Sequence, residues 1–210
     1  MANTSVTYNP ITEEPEAVSV HFFVGNTRFV MLGTRGTVSI EMSANQIPHL
    51  MFEFTGLFTL PSEQARPAVD LSAWQRPQQV SRAFTSLTLD GNAGLVMRSF
   101  MMSFGNQVEP RFLVGPEAIL ITDKDEQIEM TLEAVPLTTY DPYAAAFNQD
   151  EVPVILQHGV GAGRIATLNA PTAQMQRPQG VETPQNITEW PLRLKPIPTA
   201  GNDQWTLVLT

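Results

Sequence analysis

Apolar and polar residues alternate with a period of two along much of this 210-residue chain. Val18, Val20, Phe22 and Val24 alternate with Ser19, His21 and Phe23. Val38, Ile40 and Met42 alternate with Thr37, Ser39, Glu41 and Ser43, and Leu50, Phe52 and Phe54 with Met51, Glu53 and Thr55. Successive side chains of a strand point to opposite faces, so this pattern suits half-buried strands and not helices. Further strands are expected at 84–89, 95–104, 118–122, 127–135, 152–157, 164–168, 192–195 and 204–209. Turn-forming clusters separate them: "LDGNAG" at 89–94, "FGNQ" at 104–107 and "AGND" at 200–203. Many short strands with such turns predict an all-β fold, a sandwich or barrel.

One short α-helix is expected to flank the sheets. Asp141 can cap it, Pro142 suits its first turn, and "YAAAF" has high helical propensity. Tyr143, Ala146 and Phe147 would share the face laid on the sheets. The remainder reads as an N-terminal arm over 1–16 and a single β domain over 17–210, with long loops at 60–83 and 170–190. Structureless loops longer than about 12–15 residues are usually functional or disordered, and ordering them requires partners. The loops carry Trp74 and Trp190, and the arm carries Glu13 and Glu14 with no base. These four residues are the expected inter-subunit contacts, the tryptophans because buried aromatics dominate association energy. For each tryptophan the alternative is a lid on its own core.

Composition removes several classes of function. The chain has no cysteine, hence no disulfide framework and no thiolate metal site. No apolar run approaches the roughly 18 residues of a membrane span. "MANTSVTYNPITEEPEA" lacks the basic start and apolar stretch of a signal peptide, which predicts a protein left in the cytoplasm or packed into something assembled there. Net charge is −9, and the basic residues are scattered singly, unlike the patch of a protein that grips phosphates. Ten of the twelve basic residues are Arg, the others being Lys124 and Lys195. Arg enrichment fits protein–protein contact and fits equally a GC-rich genome.

Catalytic and metal motifs are absent from the pattern. His21, His49 and His158 are far apart and none has ligand spacing. "DKDEQI" from Asp123 has Ile128 where a calcium loop needs Gly, and reads as a solvated hairpin turn. "HGVGAGR" at 158–164 lacks the Lys-Ser/Thr of a phosphate loop and reads as a tight turn between strands. No enzyme, cofactor or metal centre is expected.

The strand at 127–135 turns Ile128, Met130 and Leu132 to one side and Glu129, Thr131 and Glu133 to the other. Ser39 with Glu41, and Glu53 with Thr55, repeat the pattern on two other strands. These residues are either ordinary solvated strand faces or parts of one polar, net negative surface. Such a surface would repel DNA, as a channel for sliding DNA requires.

Several stretches, in order, resemble the major tail tube protein family of long-tailed, non-contractile bacteriophages. They are "GTVSIEM" at 36–42, "PHLMFEFTGLF" at 48–58, "PQQVSRAFTSLTLDG" at 77–91, "SFMMSFGNQVEPR" at 99–111, "AILITDKDEQIEMTLEAV" at 118–135 and "YDPYAAAF" at 140–147. "GNDQWTLVLT" at 201–210 is similar to the family's closing strand. The resemblance implies a β-sandwich with a flanking helix, six copies of which form a ring. The ring's strands close into one barrel, and stacked rings make the tail tube of a virion assembled in the host bacterial cytoplasm. It further implies a tape-measure protein in the lumen during assembly, tail terminator and tip proteins at the ends, and double-stranded DNA in transit without specific binding. Glu129, Thr131, Glu133, Ser39, Glu41, Glu53 and Thr55 would face that lumen. A tail terminator, a head-tail connector ring, or a β-sandwich binding module are the alternatives.

Overall fold

The structure, a computed structural model, describes residues 5–210; positions 1–4 of the expected arm lie outside the described residues. In chain order the strands are β1 (Val6–Tyr8), β2 (Val18–Val24), β3 (Thr27–Ser43), β4 (His49–Phe58), β5 (Ser62–Glu63), β6 (Thr85–Leu89) and β7 (Met97–Ser103). There follow β8 (Asn106–Phe112), β9 (Glu117–Lys124), β10 (Gln127–Glu133), helix α1 (Pro142–Asn148), β11 (Glu151–His158), β12 (Ala166–Met175), β13 (Glu189–Pro196) and β14 (Thr206–Leu209). The fold is all-β, as the alternation predicts, and the pairings are antiparallel.

Two layers arise because β12 changes partners along its length. Its first half, from Ala166, pairs with β14 on one edge and β11 on the other, whereas Ala173–Met175 pair with β13. A strand that passes from one sheet to another makes the corner of a sandwich. One layer holds β6, β11, β14 and β1; the other holds β13, β10, β7 and β3, with β4 and β2 beside β3. Ile40, Phe100, Met102, Ile128, Leu132 and Leu194 from the second layer share one core with Leu87, Leu89, Val154, Leu156 and Leu168 from the first. Burying a side chain of this size contributes roughly 1.5–3 kcal/mol, so this contact holds the layers together.

A kinked hairpin modifies the expected turns. β7 pairs with β10 and β8 with β9, so residues 97–112 and 117–133 form one long hairpin whose tip is 113–116. Gly105 lies at its bend with φ +57°, and Asp125 N–H donates to Gly105 O at 3.1 Å. A Cβ on Gly105 would stand 2.0 Å from Asp125 O, so glycine is required there. "FGNQ" is therefore a kink that continues into β8. "DKDE" is the return strand at the same kink, not a hairpin turn. Asp125 accepts from Lys195 Nζ at 2.7 Å, and buried Glu126 accepts from Gln204 Nε2 at 2.9 Å.

The helix forms where expected. Asp141 Oδ1 accepts from Tyr143 N at 2.9 Å and from Ala144 N at 3.0 Å, satisfying amides that the first turn leaves free. Its buried face is Pro142 and Ala145, with Ala146 beside them. The expected face is corrected, since Phe147 points to solvent at 89% exposure. The 170–190 segment is also shorter as a loop than expected, because β12 runs on to Met175.

Candidate functional site

The cross-strand register brings the separate polar positions onto one sheet face. Arg193, Glu129, Met101, Glu41 and His49 form one row across β13, β10, β7, β3 and β4. Pro191, Thr131, Ser99 and Ser43 form the next. On the other side lie Gln127, Ser103, Ser39 and Met51, then Thr37 opposite Glu53. Thr55 follows Glu53 by alternation on β4, and Glu133 follows Thr131 on β10. All seven candidate polar residues thus share a face; its opposite side is the core along β10, β7 and β3, and exposed apolar surface at Leu50, Phe52 and Phe54 on β4.

This face has its own charge pattern. Arg193 Nε lies 3.2 Å from Glu129 Oε1, and Lys195 is held by Asp125. Arg98, at a bulge in β7, donates through Nε to Glu189 Oε2 at 2.6 Å and through its terminal nitrogen to Oε1. That bidentate hydrogen bond holds the Glu189 carboxyl below its ordinary range and raises the Arg98 guanidinium. Glu41, Glu53 and Glu133 have no ion-pair partner among the described residues, so the surplus on the face is anionic. A groove of about 480 Å³ crosses it, lined in part by Glu41, Ser99, Glu129, Thr131, Glu182 and Arg193. Sequence reasoning missed Ser99, Met101 and Ser103, although "SFMMS" alternates as plainly as the other strands. It also missed Arg98, Glu189 and Arg193, whose placement depends on strand pairing.

A second set of surfaces is apolar and uncovered. β4 pairs only with β3, so its outer edge is free along His49–Phe58. Phe52 is 58% exposed and stacks on Phe54 with ring centroids 5.6 Å apart. Between β4, β14 and the arm lies an apolar cavity of about 580 Å³, lined by Ile11, Leu50, Phe52, Trp205, Leu207 and others. Phe58, Leu60, Trp74, Val114 and Phe147 are also well exposed. A single free strand edge with apolar neighbours is an aggregation hazard unless a partner covers it.

The expected contact residues separate. Glu13 and Glu14 are exposed, on a stretch fixed by three contacts. Lys124 Nζ donates to Ile11 O, Thr12 Oγ1 to Asn202 Oδ1 at 2.7 Å, and Arg35 to Pro15 O at 2.8 Å. Trp74 is 77% exposed on the 60–83 loop. Trp190 differs: it is buried in the core beneath Tyr140 and Tyr143, so its side chain has no free surface to offer a neighbour. Its role as an inter-subunit contact is thereby corrected to core packing. "HGVGAGR" joins β11 to β12 as a turn. His158 Nε2 contacts Gln78 O at 3.1 Å, Nδ1 contacts Thr85 Oγ1 at 2.9 Å, and Val160 N donates to Gln78 Oε1 at 3.0 Å. Burial lowers the His158 pKa, against the opposing effect of the Gln78 hydrogen bond.

Among the described residues no group of three or more His, Cys, Asp or Glu is arranged to hold a metal ion, and no helix is long and apolar enough to cross a membrane. No curated protein matches the sequence. A family model described as phage tail tube protein matches residues 2–188, nearly the whole chain. An all-β sandwich with an anionic polar sheet face and uncovered apolar edges accords with that match, and the chain belongs to the phage tail tube protein family, a structural component of the virion tail.

Proposed function

We propose that six copies of this chain form a ring in which the polar face of the β13-β10-β7-β3-β4 sheet lines a central bore. Rings then stack into the tube through which double-stranded DNA leaves the virion. The reading is carried by one observation: Glu41, Glu53, Glu129 and Glu133 share a sheet face on which Arg98, Arg193 and Lys195 are each already paired with a carboxylate. Arg35, opposite Thr55, is tied instead to the backbone carbonyls of Pro15 and Ile119. DNA is bound through its phosphates by cationic groups, and a wall whose cations are already engaged keeps each phosphate from adhering as the duplex slides.

The free edge of β4 supports closure between neighbours, because adding the next copy's sheet to that edge continues the ladder around the ring. Head-to-tail stacking of identical rings does not close on itself and so yields a tube. Glu13, Glu14 and Trp74 are assigned to contacts within and between rings. A tape-measure protein occupies the bore during assembly, and terminator and tip proteins cap the ends. The protein transforms no substrate in this reading.

Electron microscopy of the purified chain at high concentration tests it. Long hollow tubes are the expected result. Single rings that never stack would instead favour a terminator or connector, and a monomer at every concentration would favour a binding module.

A further inference from the structure

One end of the sandwich presents three carboxylates on one turn, and the other presents two arginines beside one cleft. β1 runs antiparallel to β14, with Val6 opposite Leu209 and Tyr8 opposite Leu207. The chain therefore passes the start of β14 and emerges at one pole, where Thr12 contacts Asn202. There it makes the turn Thr12-Glu13-Glu14-Pro15-Glu16, with Glu14 at φ +50°. Glu13, Glu14 and Glu16 are exposed and have no ion-pair partner among the described residues. The turn is anchored on both sides, by Lys124 on Ile11 O and Arg35 on Pro15 O, so it is a fixed acidic knuckle.

The other pole is built around the far end of β14. Thr210 pairs with Ile165, Ala166 with His158, and His158 with Thr85. Here the base of the 60–83 loop meets the glycine-rich turn through the His158–Gln78 and Val160–Gln78 bonds. Between them opens a cleft of about 210 Å³ bordered by Gln75, Arg76, Gln78, His158, Gly163 and Arg164. No carboxylate lines it, and Arg76 and Arg164 have no ion-pair or side-chain hydrogen-bond partner among the described residues. In a chain of net charge −9 this is a cleft bordered by two arginines and no acid.

We propose that the acidic knuckle Glu13–Glu16 of one copy docks in the Arg76–Arg164 cleft of the next copy along the tube. The proposal rests on the tube reading and adds which surfaces meet. The partner's chemistry follows from the cleft: two guanidiniums on a polar rim select a short segment with adjacent carboxylates, and this chain presents one at its opposite pole. A copy displaced along the β14 axis brings knuckle to cleft, and each added copy leaves one free knuckle and one free cleft. That is a heterologous contact with a direction, and it propagates without closing.

Charge reversal and charge exchange test the pairing. The double variant Arg76→Glu/Arg164→Glu alters only exposed side chains and keeps the monomer's far-ultraviolet dichroism and thermal midpoint. Its threshold concentration for tube formation, read by sedimentation and electron microscopy, rises at least about tenfold, because like charges are set against each other at the contact. Adding Glu13→Arg/Glu14→Arg to the same chain restores assembly, and Glu13→Arg/Glu14→Arg alone reproduces the defect. Reversed chains that assemble like the parent, or an exchanged chain that stays impaired, overturn the pairing and leave the tube reading standing. A parent chain that never associates end to end overturns both.

Discussion

Trp74 and Trp190 show what a single residue's surroundings decide. Both stand in weakly patterned stretches, and nothing in the residue type separates them. Trp190 follows the bridge between Glu182 and Glu189, which returns the chain to β13 and points the indole into the core. Trp74 has no such tether beyond Trp74 N–H donating to Leu71 O, and it stays exposed. His158 supplies a test at this scale. Its folded pKa lies below the ordinary 6.5, so the folded chain holds fewer protons than the unfolded chain in that window. Stability therefore falls as pH drops below 6.5, and the loss is complete once pH is under the depressed folded value. A denaturant midpoint that falls between pH 7.5 and pH 5.5 in the parent, by more than in His158→Gln, is the expected result. Equal falls would show that His158 is not the titrating group.

At the scale of elements, alternation made β2, the second half of β3, β4 and β10 legible as strands, and in β3 and β10 also the side that is wet; in β2 and β4 the apolar side is exposed as well, at Val18, Val24, Leu50 and Phe52. β8 was not legible, because "GNQVEPRF" begins with turn residues and contains Pro110. Those residues bend the hairpin without ending it, and only the pairing of β8 with β9 reveals a strand. The helix was legible through Asp141 and Pro142, but its buried face was not, since that depends on where the sheet lies. The pairing order that gathers Glu41, Glu53 and Glu129 onto one face was equally hidden: period two gives a strand's two faces but not its neighbours. Two variants follow. Gly105→Ala forces a Cβ against Asp125 O at a left-handed backbone position, and should cost at least about 2 kcal/mol in chemical denaturation. Phe52→Lys changes a largely exposed side chain beside the free edge of β4 and removes its stack on Phe54, so monomer stability should fall by no more than about 1.5 kcal/mol. Assembly should nonetheless fail in sedimentation, because an edge lysine opposes strand addition. Normal tubes from Phe52→Lys would remove β4 from the closure of the ring.

The whole molecule reads as a unit left incomplete by itself. Its sandwich core is closed, yet Phe52, Phe58, Leu60, Trp74 and Val114 remain uncovered, and it carries an acidic turn at one end and an arginine-bordered cleft at the other. In the proposed tube, burial between copies covers the first and stacking pairs the second. The polar sheet face needs neither, which suits a surface turned toward an aqueous passage. Reconstruction of the assembled tube by electron cryomicroscopy at side-chain resolution tests this most directly. The account predicts the carboxylates of Glu41, Glu129 and Glu133 on the wall of the bore. Finding those carboxylates on the outer surface, or buried where copies meet, would contradict it.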